Sequence, residues 1–414
     1  MQSPLITRAL LLSASALVMT NHVAAVQGVA EEGHATLEQV DLFVSGTHDT
    51  HTFRIPALAA TPQGTLLAIC DARRKDASDL PGDIDLVLRR SLDGGRTWSP
   101  LRVIQDLPAG HGAGDPSVLV DRVKGRVFCF FAYGPPGVGF FTSKAGSNAT
   151  DDPTSLHAHV IWSDDEGATW SAPRDLNPSL KDPSWRGLFA SSGAGIQLRS
   201  GRLIQPYAVM DGAGVTSSRN AYSDDHGATW RMGGAASTDT NESRVVELIS
   251  GEVVQNVRHN SIGARFLAVS RDGGESFEQA VQDAQLMDPR VNAGLVSLGA
   301  NPAAPSSTLL VYSSPWHASE RRNLMVRCSP DSGASWPRAR VVHAGPAAYS
   351  SLVVLHTPSG ADQAPAPSAA QAGGLTLGLL YERGERSAYE RVTFARFDAD
   401  WITPHAAAAA TSRD

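Results

Sequence analysis

Short apolar runs recur along the chain, each bounded by glycine, aspartate or serine, and they predict strands joined by tight turns. A self-similar octet stands among them: SLDGGRTW from Ser91, SDDEGATW from Ser163, SDDHGATW from Ser223, SRDGGESF from Ser270 and SPDSGASW from Ser329. Successive octets begin 72, 60, 47 and 59 residues apart, and recurrence at tens of residues marks a repeat architecture. The shared frame Ser-x-Asp-x-Gly-x-(Thr/Ser)-(Trp/Phe) has a physical logic. Its Ser and Asp side chains close a turn on backbone N–H groups, and its Gly takes backbone angles closed to other residues. The terminal aromatic is an apolar peg between layers. Asp93, Asp165, Asp225, Asp272 and Asp331 are therefore structural rather than chemical.

Strand-like runs such as DIDLVLRR, HAHVIW and RNLMVR precede the octets and a short extended piece follows, so each octet reads as a hairpin turn. Two further strands lie upstream of each: RIPALAAT with GTLLAIC, PSVLVD with GRVFCFFAY, AGIQLRS with GRLIQPYAV, RVVELIS with EVVQNVR, and AGLVSLG with TLLVYSS. A last group, YSSLVVL, LTLGLLYE and RVTFARF, lacks an octet. Four strands per group and six groups describe an all-β fold, a six-bladed β-propeller; a β-sandwich pair or a β-helix fits the period less well. Residues 357–374, rich in Pro, Ala and Gly, read as a long loop, and 402–414 as an Ala-rich disordered tail.

The first residues carry a different signal. Arg8 precedes the apolar stretch Ala9–Met19, and small residues follow around Val23, Ala24 and Ala25. That order is the secretory one, so residues 1–25 are expected to be a signal peptide, with a retained leader as the alternative, and 34–401 the propeller. No later run is long enough to span a bilayer. The expected address is extracellular, periplasmic or lysosomal.

Composition narrows the partners. The 414 residues carry 35 Lys+Arg against 42 Asp+Glu, a formal charge of −7, which argues against nucleic acid. Cys70, Cys129 and Cys328 are far apart, lie in or beside apolar runs and allow neither a disulfide framework nor a CxxC zinc spacing. No His/Asp cluster with metal-ligand spacing is evident, so no metal or organic cofactor is expected.

Three arginines stand where strand pattern does not explain them: Arg54 in FRIPAL, Arg258 closing EVVQNVR, and Arg321 opening RRNLMVR. Convergent strand ends would bring their planar, permanently charged forks to one face, a site for a carboxylate; separate surface ion pairs are the alternative.

FRIP at Phe53–Pro56, followed by the five octets, known as Asp boxes, resembles the exo-sialidase (neuraminidase) family over roughly His34 to Trp401. The resemblance implies that Arg54, Arg258 and Arg321 grip the carboxylate of sialic acid, and that Glu382, in LLYERG, props Arg54. It implies a tyrosine nucleophile, matched by Tyr349 in AYS, with Glu242 as its base. A neutral phenol can approach an anomeric carbon that already bears a carboxylate, where an anionic nucleophile would be repelled. Sialidases are a recognised exception to the two-carboxylate rule of glycosidases. The acid/base matches Asp79 in DLPG, with Asp76 its rival, and Arg73 in DARR matches an arginine that contacts the sugar ring. Glu247 supports the site or forms a strand-end salt bridge, and Asp115 in GDPS touches ligand or braces a loop. The implied activity is retaining hydrolysis of terminal sialic acid from glycoproteins, glycolipids and oligosaccharides. Transfer to an acceptor or within the sugar, and a non-catalytic glycan-binding propeller, are the alternatives.

Overall fold

The computed structural model describes residues 37–355 and 375–402. The expected signal segment 1–25, the loop 357–374 and the tail after Ile402 lie outside the described residues. Ile402 itself, expected in the tail, is 2% exposed and closes the helical turn Ala399–Ile402.

The described chain is all-β and propeller-like. Antiparallel sheets follow one another in chain order. The first contains Thr52–Ala60, Leu66–Arg73, Ile84–Ser91 and Arg102–Gln105. The second is built on Gly112–Asp121, Arg126–Gly134, His157–Ser163 and Arg174–Asp175, the third on Gly187–Ala190, Leu203–Met210, Thr216–Ser223 and Arg231–Thr238. Thr240–Glu247, Val253–His259, Ala264–Ser270 and Val281–Met287 form the fourth. The last sheet has seven strands, from Gly294–Asn301 through Ala304–Pro315, Arg322–Ser329, Arg338–Leu355, Thr376–Arg383 and Arg391–Asp398 to Glu38–Val44. Strands Thr52–Ala60, Gly112–Asp121, Leu203–Met210, Thr240–Glu247, Gly294–Asn301 and Arg338–Leu355 touch in succession, and the last returns to the first.

Face-to-face packing explains the sequence pattern. Leu66–Arg73 is buried at every position, so residues 66–70 read as a continuous apolar run rather than an alternating one. Ile69 and Leu86 of the first sheet share a core with Val118 and Phe131 of the second. All three cysteines are free and buried, and burial raises their thiol pKa values.

The octets sit at the expected turns. In the second, Asp165 accepts the Thr169 N–H at 2.8 Å and the Thr169 hydroxyl at 2.6 Å. These bonds hold Asp165 down at about 2. The octet also fastens one sheet to the preceding one. A Cβ on Gly95 would lie 2.3 Å from Phe394, on Gly167 2.7 Å from Leu67, and on Gly227 2.3 Å from Phe128. Trp98 meets Phe394 edge-on at 5.0 Å and Trp230 meets Phe130 at 5.1 Å.

Three expectations need correction. AGIQLRS, residues 194–200, is not one strand: Ala194 ends a short piece that crosses to pair in parallel with Ser117 and Val118 of the second sheet, Ile196–Gln197 turns back onto Leu203 and Ile204, and the longer partner of Leu203–Met210 is the upstream Gly187–Ala190. Glycine permits that crossing, since a Cβ on Gly195 would lie 2.4 Å from the Ile204 carbonyl oxygen. The extended pieces around the fifth octet and YSSLVVL are one 18-residue strand, Arg338–Leu355. It pairs with Arg322–Ser329 up to Pro346 and with Thr376–Arg383 from Ala347 onward. Glu38–Val44, not assigned from sequence, pairs with Arg391–Asp398.

Gly125 and Gly227 both have positive φ, yet only Gly227 has a close neighbour. Gly125→Ala is expected to cost about 1 kcal/mol of backbone strain. Gly227→Ala should cost a further ~1–3 kcal/mol as Phe128 is displaced. Equal midpoints for the two variants in urea denaturation would contradict this packing role.

Candidate active site

Arg54 lies on Thr52–Ala60, where the pairing with Leu66–Arg73 is broken between Arg54 and Ala57. Ile55, just before Pro56, sits at φ 60°, a strained value for a β-branched residue. The bulge frees the Ile55 N–H, which donates to Glu382 Oε1 at 2.8 Å. Arg54 Nε donates to the same oxygen at 3.1 Å, and the Tyr349 N–H donates to Glu382 Oε2 at 3.0 Å. Glu382, on Thr376–Arg383, is wholly buried. Burial would lower the Arg54 pKa, but Glu382 and neighbouring groups outweigh it and raise it.

Tyr349 stands in Arg338–Leu355 just past the change of partner. Its hydroxyl donates to Glu242 Oε2 at 2.5 Å. Glu242, on Thr240–Glu247, also accepts Ser192 Oγ at 2.9 Å and is 2% exposed. Arg258 Nη1 donates to Glu242 in a close ion pair and to the Tyr349 oxygen at 3.0 Å. The guanidinium carbons of Arg54 and Arg321 lie 5.2 and 5.6 Å from the Tyr349 ring centre. Burial, helped by Glu242, raises the Tyr349 pKa against the pull of the three arginines. The phenol is therefore neutral until its proton is taken.

Asp79 meets this cluster from the loop after Leu66–Arg73. It lies 2.6 Å from Arg73 and 3.8 Å from Arg54 while its side chain remains 72% exposed. Partial enclosure would raise its pKa, but Arg73 and Arg54 outweigh it and hold it low. Asp76 has no ion pair with the arginines of the cluster and accepts the Ser78 N–H at 2.7 Å. Glu247 pairs with Arg199 at 3.3 Å.

A second layer holds these groups. Asp71 grips Arg73 at 3.0 Å, and burial pushes it up to about 6 against the pull of that arginine. Asp115 repeats the Ile55 device: it precedes Pro116 at φ 57° within a bulge, and its N–H donates to Asp71 Oδ1 at 3.0 Å. Its carboxylate lies 3.4 Å from the Ser192 hydroxyl, and burial, with Asp71, Asp79 and Glu242 nearby, raises its pKa well above normal.

Sequence reasoning missed four members. Asp71 had a signal, as the carboxylate inside LLAICDAR, a run otherwise suited to burial on both faces. Ser192 and Tyr389 had none. The Tyr389 hydroxyl oxygen accepts a bond from Arg321 Nη1 at 2.6 Å and its ring lies 4.3 Å from the Arg54 guanidinium carbon, contacts made only in space. Arg244 bonds the Ala293 and Ala194 carbonyls at 2.8 and 2.7 Å and Ser351 Oγ at 3.1 Å. Burial lowers its pKa to about 9, and it pegs strands from separate sheets behind Tyr349.

The geometry gathers three guanidinium groups around a phenol bonded to a carboxylate, with the exposed Asp79 carboxylate beside them. A BNR repeat-like domain family model matches residues 64–360. A sialidase from Micromonospora viridifaciens is 38% identical over 382 residues, covering 89% of this chain and 55% of that protein. The chain thus spans little more than half the length of that relative. Sialidase-3 from Bos taurus is 30% identical over 414 aligned residues, 86% of this chain and 91% of its own. The solved structure of a Hadza microbial sialidase superposes with a TM-score of 0.77 at 28% identity, covering 88% of this chain and 69% of that one. These likenesses place the chain in the sialidase family.

Proposed function

We propose that the protein is a retaining exo-α-sialidase that hydrolyses terminal sialic acid from glycoproteins, glycolipids and oligosaccharides. The observation that carries the reading is the 2.5 Å bond from the Tyr349 hydroxyl to Glu242 beneath Arg54, Arg258 and Arg321. A glycan-binding propeller has no need of a phenol paired to a carboxylate. We also read the seven-stranded sheet as two blades, which makes six; the change of partner at Pro346/Ala347 supports that count. The charged, apolar, small-residue order of residues 1–25 supports export.

In this reading the three arginines bind the substrate carboxylate, with Glu382 fixing Arg54. Tyr349 attacks the anomeric carbon as its proton passes to Glu242, and Arg258, already on the phenol oxygen, stabilises the charge that develops there. Asp79 protonates the leaving oxygen as the glycosidic bond breaks. Water then displaces the tyrosine from the anomeric carbon and gives its proton to Asp79, while the departing Tyr349 oxygen takes its proton back from Glu242, and two inversions give net retention.

Asp79 begins as an anion paired to Arg73. A bound carboxylate adds negative charge beside it and draws on Arg54, so the Asp79 pKa rises on binding. The profile of kcat/KM reports the free enzyme and that of kcat the complex. The basic limb of kcat is therefore expected at higher pH than that of kcat/KM; coincident limbs would contradict the coupling.

Asp79→Ala should cost roughly 10²–10⁴-fold in kcat on sialyl-lactose and far less on an activated aryl sialoside, whose leaving group needs no proton. An equal loss on both substrates would remove Asp79 as the acid. Tyr349→Phe should cut turnover of a fluorogenic sialoside by at least about 10³-fold. Unchanged turnover would sink the nucleophile assignment. Sialyl-lactose formed when free lactose is supplied would instead establish transfer.

A further inference from the structure

The second sheet carries a cluster that the proposed chemistry does not use. His157 and His159 alternate on one strand, so both rings project from the same face. Asp175, on the two-residue strand Arg174–Asp175, is the cross-strand partner of His159. One ligand atom from each of the three lies within 4.8 Å of the others. Sequence reading found no such cluster because Asp175 is brought in by the hairpin that the second octet closes.

The donors are set as a metal requires. His157 Nε2 lies 2.9 Å from the Asp152 carbonyl oxygen, which can only accept, so Nε2 carries a proton. That is the second-shell pattern that orients a ligating imidazole. It turns Nδ1 toward Asp175 Oδ2 at 2.8 Å, a contact that needs a proton or a cation between the two atoms, while the Asn177 amide nitrogen stands farther off at 3.3 Å. Asp175 is steadied from its other oxygen, where Oδ1 accepts the Asn177 N–H at 2.8 Å. His159 Nε2 is 4.0 Å from Asp175 Oδ2, and its Nδ1 is buried with no hydrogen-bond partner among the described residues. Tyr133 stacks on His159 at 4.8 Å with planes 12° apart, which limits that ring to small rotations.

We propose that His157 Nδ1, His159 Nε2 and Asp175 Oδ2 bind a divalent d-block cation of the zinc type, with water completing the tetrahedron. Two imidazoles and one carboxylate suit zinc, copper or nickel rather than calcium or magnesium. Bonds of about 2.0–2.1 Å put tetrahedral ligands ~3.3 Å apart, so the wider pair closes and the narrower one opens slightly. His159 and Asp175 keep 14% and 9% side-chain exposure, which leaves an approach for the ion. The metal replaces the proton between His157 and Asp175 and clasps the short edge strand to its neighbour.

The test is calorimetric titration of zinc chloride into the full chain, free of any affinity tag and stripped with chelator. One zinc per chain at micromolar or tighter affinity is expected, with a Tm that rises with zinc concentration and no response to calcium. His159→Gln and Asp175→Asn should each weaken binding by at least about tenfold while leaving zinc-free sialoside turnover unchanged. Zinc-edge X-ray absorption of the wild-type chain should show two imidazole nitrogens, a readout that requires no variant to fold. No saturable binding below millimolar zinc, unaltered affinity in both variants, or an edge spectrum without imidazole would each overturn the site.

Discussion

Glu382 is the constraint on which the rest of the site depends. Its two oxygens, wholly buried, accept the Arg54 guanidinium and the backbone N–H groups of Ile55 and Tyr349. A carboxylate so placed is costly unless every lone pair finds a donor, and breaking such a pair exposes the full desolvation cost. The same carboxylate fixes the Arg54 guanidinium and the backbone of Tyr349, so the two cannot drift apart independently. That is preorganisation in a literal sense: the relation between charge and hydroxyl is set before any ligand arrives.

The strained backbone at the site follows from the same need for donors. Ile55 and Asp115 both precede proline, both interrupt strand pairing and both have φ near 60°. Each bulge withdraws an N–H from the ladder and aims it at a buried carboxylate, Glu382 in one case and Asp71 in the other. Strain of order 1–3 kcal/mol per residue persists because the surrounding bonds over-determine it.

What could be read from the chain alone was what is local. The octets announced their turns because Ser, Asp and Gly close them with bonds spanning only a few residues, as in Ser91, Asp93 and Thr97. The apolar runs announced buried strands for the same reason. Arg54, Arg258 and Arg321 stood out as charges that the strand pattern did not explain, whereas Tyr349, Glu242 and Glu382 were legible only through a family resemblance, since nothing in their spacing says that Glu242 and Tyr349 touch across 107 positions. Tyr389 and Ser192 act through contacts of that long-range kind and left no mark. Residues 338–355 misled because the strand changes partner without changing direction, and its sequence carries no turn at Pro346.

The pairing of Glu38–Val44 with Arg391–Asp398 joins residues such as Val40 and Phe394 that lie far apart in sequence. At about 5–20 residues per second, a ribosome needs on the order of tens of seconds between making one strand and its mate. Through that interval the early strand has an open edge, available to any other extended chain. Contacts of such separation also slow folding itself, because the loop must close before the ladder can reward it. Ring closure thus waits for residues 391–398, and the nascent chain must be kept from foreign strands until they arrive.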